Sequence, residues 1–400
     1  MFKKIIYFIM AALILLGIAG DWTRVEAEEM AVGLSFIYDK SDKGYRIIGE
    51  FLDVSHSNDP QQSQISRSLI MEFEARSPAE ALQQNLQLEK ALYGTHNRVR
   101  FFTEKMAQYG IEPIQDFFFR EFYLDQRPIM MVVKNEDPLL LFQAETGLSD
   151  QVGGYIYALS RLKEERSTLT TFVTTLDFAK DLYKEGKQPI MGVVEVKENK
   201  INFDEDVKEE EEKKPKKYVM DFEGLAVFKE DKLVGYLDGQ EAIAYNLISD
   251  TVRQAYIAIP VSGGNISIYV MESKSQVNTE YLGEDVNINI KIKTRLAIAE
   301  NMSDYNISEN KELKKAEKDI NHFMQTRIKE AIQKVQTEFK SDIFGFGDYF
   351  HKDYPKKWKT IKHKWDDEYF AKATINVTVE NIIETEGHTR ERVGERVYAE

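Results

Sequence analysis

From Leu313 onward, apolar residues recur every three or four positions, at Ala316, Ile320, Met324, Ile328, Ala331, Ile332, Val335 and Phe339. A stripe sustained over so many turns dictates a long amphipathic helix whose apolar side must be covered by another element. The cover is written just ahead of it. Val286 to Ile298 reads VNINIKIKTRLAI, the two-residue alternation of a sheet with one polar face. Ala373 to Ile383 (ATINVTVENII) adds a strand after the helix. Strands on both sides favour packing on a sheet over a coiled coil. The expected C-terminal unit is an antiparallel sheet packed with this helix.

Upstream, the second half opens with strands at Phe222 to Lys229 and Lys232 to Leu237, joined by Glu230 and Asp231. A helical pattern covers Glu241 to Ser249, and strand character returns at Val252 to Ile259 and Asn265 to Ser273. Gly263-Gly264 in PVSGGN signals a turn, because the Lys-Ser/Thr ending of a phosphate loop is absent. In the first half, Ala31 to Tyr38 and Tyr45 to Val54 flank Asp39 to Gly44, a turn-rich segment, and form an expected hairpin. Ser77-Pro78-Ala79-Glu80 sets a helix start, with Ala81, Leu82, Leu86, Leu88 and Leu92 as its apolar face. Arg98 to Phe102 reads as a strand, Thr103 to Tyr109 as a helix closed by Gly110, and Ile114 to Glu121 as another helix. Pro128 to Lys134 (PIMMVVK) has the unbroken apolarity of a buried strand. The fold class is α+β, with successive mixed α/β domains.

Between these halves, FDEDVKEEEEKKPKK is a charge run that cannot bury apolar area and reads as a solvated loop or linker. The expected organisation is a leader at 1–27, an N-terminal domain at 28–201 that can divide into two subdomains, a charged linker at 202–217 and a C-terminal domain at 218–400. The leader follows from Lys3 and Lys4 ahead of an uncharged apolar run, Ile5 to Ala19, shorter than the roughly 20 residues of a spanning helix. It reads as an export signal with the remainder of the chain outside the cytosol.

Composition then narrows the chemistry. A net charge of −14 argues against a nucleic-acid partner, which needs clustered cations. The absence of cysteine removes disulfides, thiolate metal sites and thiol nucleophiles. None of the six histidines stands in a recognised metal spacing, and no G-x-S-x-G elbow occurs. No catalytic residue, metal or cofactor is expected. His351 and His363 read as packed or surface histidines, and Asp366-Asp367-Glu368, which could serve a glycosidase, reads as surface acid. Trp358 and Trp365 lie among lysines and could form a docking surface for an acidic partner or lipid headgroups. Seven residues apart, they would share one helix face, so the core reading is preferred, with the lysines outward.

The segment from Ser341 to Gly387 resembles the C-terminal signature of the C subunit of bacterial spore germinant receptors, the Ger(x)C or GerAC-like lipoprotein family. There an aspartate and glycine-rich turn follows the long helix, two tryptophans lie close together, and a strand ending near a glycine closes the domain. The matching positions are Asp342, Gly345, Gly347, His351, Pro355, Trp358 and Trp365. Residues 224–241, 98–121 and 21–36 are similar to other stretches of the family. The resemblance implies a non-enzymatic subunit attached to the outer face of the spore inner membrane, assembled with polytopic A-type and B-type membrane subunits that sense nutrients. Ile18-Ala19-Gly20 keeps the family's lipoprotein box, but Asp21 stands where its cysteine is expected, and a carboxylate cannot form the lipid thioether. Lipidation there is expected to fail. A cell-envelope hydrolase acting on peptidoglycan is the alternative. An extracytoplasmic solute-binding protein would need two similar lobes, and no internal repeat is visible.

Overall fold

The computed structural model describes residues 30–53, 68–85, 91–93, 96–121, 124–147, 149, 151–163, 169–199, 217–252 and 255–385. The leader with Ile18 to Asp21, and the charge run up to residue 216, lie outside the described residues. No described helix is long and apolar enough to cross a membrane.

The chain begins with β1 (Met30–Ser41) and β2 (Gly44–Asp53), the expected hairpin, which closes at Ser41 opposite Gly44. Next come β3 (Ser68–Ala75), α1 (Pro78–Asn85) and β4 (Ala91–Tyr93). Ser77 Oγ accepts the Glu80 amide as expected of a cap, while the Glu80 carboxylate reaches one residue further back, to the Arg76 amide. The predicted apolar face of this helix is too long. Leu92 lies in β4 as a parallel partner of β1, and Leu86 and Leu88 fall outside the described residues.

The central strands β5 (Val99–Thr103), β6 (Ile129–Val133) and, further on, β9 (Ile190–Glu198) run parallel to β1. Their crossovers carry α2 (Glu104–Tyr109), α3 (Glu112–Arg120), β7 (Ala144–Glu145), α4 (Val152–Lys163), β8 (Val173–Thr174) and α5 (Thr175–Tyr183). Thr103 caps α2 by accepting the Met106 amide. All five residues of β6 are buried, as PIMMVVK requires. Because successive side chains alternate, each central strand serves two cores. Tyr38, Phe102, Met130 and Val132 face one, and Ile37, Phe101, Met131 and Val133 the other.

The charge run is not a boundary in this sheet. After it, β10 (Tyr218–Asp221) pairs antiparallel with the end of β9, and β11 (Leu225–Lys229) pairs with its beginning. β12 (Lys232–Leu237) completes the edge, giving the order β12-β11-β9-β6-β5-β1-β2-β3. The C-terminal half thus contributes strands to the N-terminal sheet, and the two halves are joined by backbone hydrogen bonds as well as by the chain.

Following α6 (Gly239–Ile248), with a capping box between Asp238 and Glu241, the second sheet has the order β13-β14-β15-β16. Its strands are β13 (Ala255–Val261), β14 (Gly264–Leu282), β15 (Asp285–Asn301) and β16 (Thr374–Thr385). The Gly263-Gly264 turn closes β13 onto β14. β14 runs nine residues beyond the expected end at Ser273, because the polar stretch after it pairs with the alternating β15 through Leu282. The sheet is antiparallel except at its last member, where β16 lies parallel to β15. Parallel neighbours need a crossover. That crossover is α7 (Asn310–Lys334), α8 (Phe346–Asp353) and α9 (Pro355–Ile361). Ala316, Ile320, Met324, Ile328, Ala331 and Ile332 of α7 are buried as the stripe predicts, in one continuous core with both sheets.

Candidate functional site

The segment that leaves α7 binds the two halves together. A turn of π-helix at Val335–Phe339 ends in Lys340, whose left-handed φ of 48° redirects the chain inward. Ser341 and Asp342 are then fully buried, and Ser341 Oγ donates to the Phe228 carbonyl of β11 at 2.5 Å.

The Asp342 carboxylate is the organising acceptor. It receives the Phe346 amide at 3.1 Å, the Gly347 amide at 2.7 Å and the Trp365 indole N–H at 2.8 Å. Its own amide donates to Asp366 Oδ1 at 2.7 Å. Burial pushes the Asp342 carboxyl up to about 7, and the nearby Asp366 adds to the rise, while the three donors oppose it. Asp366 is likewise raised, chiefly by burial, against the donors Asp342 N and Gln188.

The other side of the joint is the loop between α5 and β9. Gln188 spans it: its amide donates to the Asp342 carbonyl at 2.9 Å, its Nε2 donates to Asp366 Oδ2 at 2.8 Å, and its Oε1 accepts the Glu230 amide at 2.6 Å. Gly186 and Gly347 touch backbone to backbone. A Cβ on Gly186, already at φ +83°, would lie 2.4 Å from the Gly347 carbonyl carbon, and one on Gly347 would lie 2.7 Å from Gly186 Cα. Only glycine at both positions lets the loops cross this closely. Gly345, at φ +75°, turns the chain into α8.

The tryptophans are core, as their spacing suggests, although they do not share one continuous α-helix. Trp358 lies in α9 and Trp365 opens a π-turn after a short 3₁₀ segment, with their rings 5.4 Å apart and edge to face. Each is 1% exposed. Trp358 Nε1 donates to Glu185 at 2.9 Å, and Lys362 pairs with the same carboxylate at 2.5 Å. His351 stacks on Trp358, its Nδ1 4.0 Å from Glu185, whereas Pro355 is the first residue of α9. His363 is exposed.

Structural partners account for the acids that suggested a glycosidase. Asp366 binds Gln188 and the Asp342 amide, Asp367 pairs with Lys229 at 2.7 Å, and Glu368 pairs with Lys364 at 3.1 Å. Among the described residues no group of three His, Asp or Glu side chains gathers to hold a metal. Sequence reasoning missed Glu185, Gly186 and Gln188. Gly186 within the short polar run Lys184 to Pro189 was the visible sign, since Gly and Pro in such a run between patterned segments mark a turn.

The fold and this joint define a class: a two-part α/β protein whose C-terminal half carries strands in the sheet of the first. Family models match both parts, "Spore germination protein N-terminal domain" at residues 23–196 and "Spore germination B3/ GerAC like, C-terminal" at residues 223–387. The chain belongs to the GerAC-like family of spore germination proteins. It is 21% identical over 376 residues to YfkR of Bacillus subtilis (strain 168), named for a proposed role in spore germination, covering 92% of this chain and 93% of that one. Spore germination protein KC of the same organism is 25% identical over 174 residues, 43% of this chain and 42% of that one. The crystal structure of the GerBC protein shares the fold with a TM-score of 0.53 at 15% identity, covering 87% of this chain and 96% of that one.

Proposed function

We propose that this chain is a non-enzymatic, membrane-attached subunit of a spore nutrient germinant receptor. It works through assembly with A-type and B-type membrane subunits on the outer face of the spore inner membrane. The observation that carries the reading is the pairing of the two family matches with a joint whose charged groups are used up internally. Asp342, Asp366, Asp367 and Glu185 each hold a backbone amide, an indole or a lysine. They are disposed to hold two halves in one geometry rather than to turn over a substrate.

The units at 28–201 and 218–400 then act as one body, linked by the charged run at 202–217. Attachment falls to the N-terminal segment. With Asp21 in place of the lipid-bearing cysteine, the apolar run is retained as an uncleaved anchor. Its shortness is tolerated by local thinning of the bilayer.

Co-expression of the full chain with the A-type and B-type subunits from the same source, followed by detergent extraction and affinity capture, tests assembly. Joint recovery supports the reading. Incubation with spore peptidoglycan tests the alternative, and fragment release abolished by replacing one carboxylate would refute a non-enzymatic subunit.

A further inference from the structure

A groove of about 340 Å³ lies near the carboxyl ends of the parallel strands β6 and β9, at the far end of β9 from the joint. In open α/β sheets this end of the strands is where ligands settle. Its floor is a row across three strands. The Lys134 amide, just past β6, donates to the Val194 carbonyl of β9 at 3.1 Å, and Glu195 of β9 pairs across the ladder with Asp221 of β10. Val193 adds an apolar patch, Tyr236 and Asp238 come from the end of β12 and the cap of α6, and Lys334 reaches in from the last turn of α7.

Most of the charges here already have partners. Lys197 binds Asp221 at 2.5 Å and lies 3.6 Å from Glu195, Lys334 binds Glu241 at 2.7 Å, and Asp238 accepts the Glu241 amide at 2.8 Å. Two charges of opposite sign are left over. Lys134 Nζ lies 4.9 Å over the Tyr236 ring and makes no ion pair among the described residues. Glu223 makes none there either, and its side chain lies against the first turn of α6, where a Cβ on Gly239 would come within 2.6 Å of Glu223 Oε1.

We propose that this groove binds a small aliphatic α-amino acid, with its carboxylate on Lys134, its ammonium on Glu223 and its side chain over Val193 and the Tyr236 ring. The leftover charges select the class. A simple anion would meet the unpaired Glu223 and a simple cation the unpaired Lys134, whereas a zwitterion answers both. A bare metal ion is disfavoured, since no three acidic or histidine side chains gather to hold one among the described residues. Volume limits the size, because about 340 Å³ lies at the lower end of the range for small-molecule sites. The sheet floor and the Lys334–Glu241 pair fix the walls beforehand, so binding has little ordering to offset. The site goes beyond the receptor reading and needs no other subunit.

Saturation-transfer NMR titrations of the full chain in detergent at neutral pH test this with three probes that share one side chain and differ in charge: L-valine, N-acetyl-L-valine and L-valinamide. Valine is expected to bind at least about tenfold more tightly than either blocked analogue, because each analogue loses one charge-assisted hydrogen bond. Lys134→Met should weaken valine at least about tenfold and leave valinamide unchanged, while Glu223→Gln should weaken both. Both residues are exposed, so near-UV circular dichroism should stay unchanged. The comparison of the three probes on the native chain tests the charge rule without any substitution. No transfer to valine, equal binding of all three probes, or valine binding unmoved by one or both substitutions would overturn the proposal. Because the titration involves this chain alone, such a failure leaves the assembly reading standing.

Discussion

Gly347→Ala tests the joint at its tightest point. The added methyl would lie 2.7 Å from Gly186 Cα, 2.8 Å from Trp365 Nε1 and 2.9 Å from the Gly186 carbonyl oxygen. Two of these neighbours are backbone, which cannot rotate away. Overpacking of this kind costs about 1–3 kcal/mol. Relief requires the loops to separate, which stretches the Trp365 indole bond to Asp342, a charge-assisted bond of about 1.5–3 kcal/mol once the carboxylate is ionised above about pH 7. Alanine's better helix propensity returns about 1 kcal/mol, leaving a net loss of about 1.5–5 kcal/mol. Gly283→Ala is the control: its φ is +78° but nothing lies within 4 Å, so only the left-handed backbone is penalised, by about 1 kcal/mol. Urea unfolding followed by the fluorescence of Trp358 and Trp365 reads both. A Gly347→Ala loss under about 0.5 kcal/mol, or one no larger than the control's, would refute the close-crossing argument, because overpacking against backbone cannot be so cheap.

Other consequences follow from the same residues. Because the Asp342 pKa is raised to about 7 in the folded chain, the folded state keeps that proton between about pH 4 and 7 while the unfolded state has lost it, so stability from this group falls as pH rises through that window and levels above it. Asp342→Asn should flatten this part of the stability-against-pH curve and cost about 1–3 kcal/mol, since the amide NH₂ faces donors; an unchanged slope would contradict the assignment. Trp358→Phe keeps an aromatic ring but deletes the donor to Glu185 and leaves part of the buried indole's volume unfilled, for an expected loss of at least about 1 kcal/mol in the same urea assay. Limited proteolysis should cut first in the charge run near Glu209 to Lys217, and the nicked chain should still elute as one body because β10 and β11 remain paired with β9; separation of the fragments would count against the shared sheet. Asp21→Cys should restore diacylglycerol labelling in a host with the lipidation enzyme, and an unlabelled product would show that Ile18 to Gly20 is not a lipoprotein box.

What could be read from the sequence was what local periodicity or turn chemistry encodes. The α7 stripe, the buried β6 run, the short helix after Thr103 and the β1–β2 hairpin each carry their signal within one continuous stretch of chain, and each appears in the structure. The longer reach of β14 was hidden because Ser273 and Thr279 are buried polar residues that break the alternation, with Thr279 bonded to Asp353. Leu92 was assigned to a helix because a leucine every few residues satisfies a helical template, whereas pairing with β1 places it in a strand. The joint was half visible. Asp342, Gly345, Gly347, Trp358 and Trp365 stood out as a pattern, but Glu185, Gly186 and Gln188 matter only because folding brings them against residues more than 150 positions away. Composition places a division at the charge run, and what it could not reveal is that β10 and β11, beyond that run, pair with β9 before it.

The most direct test of the central claim is capture of the full chain from membranes in which A-type and B-type receptor subunits are co-expressed, comparing the native sequence with Gly347→Ala at equal expression. The account predicts that both subunits are recovered with the native chain and that recovery falls when the joint is loosened. Recovery of neither subunit with a folded native chain would contradict it.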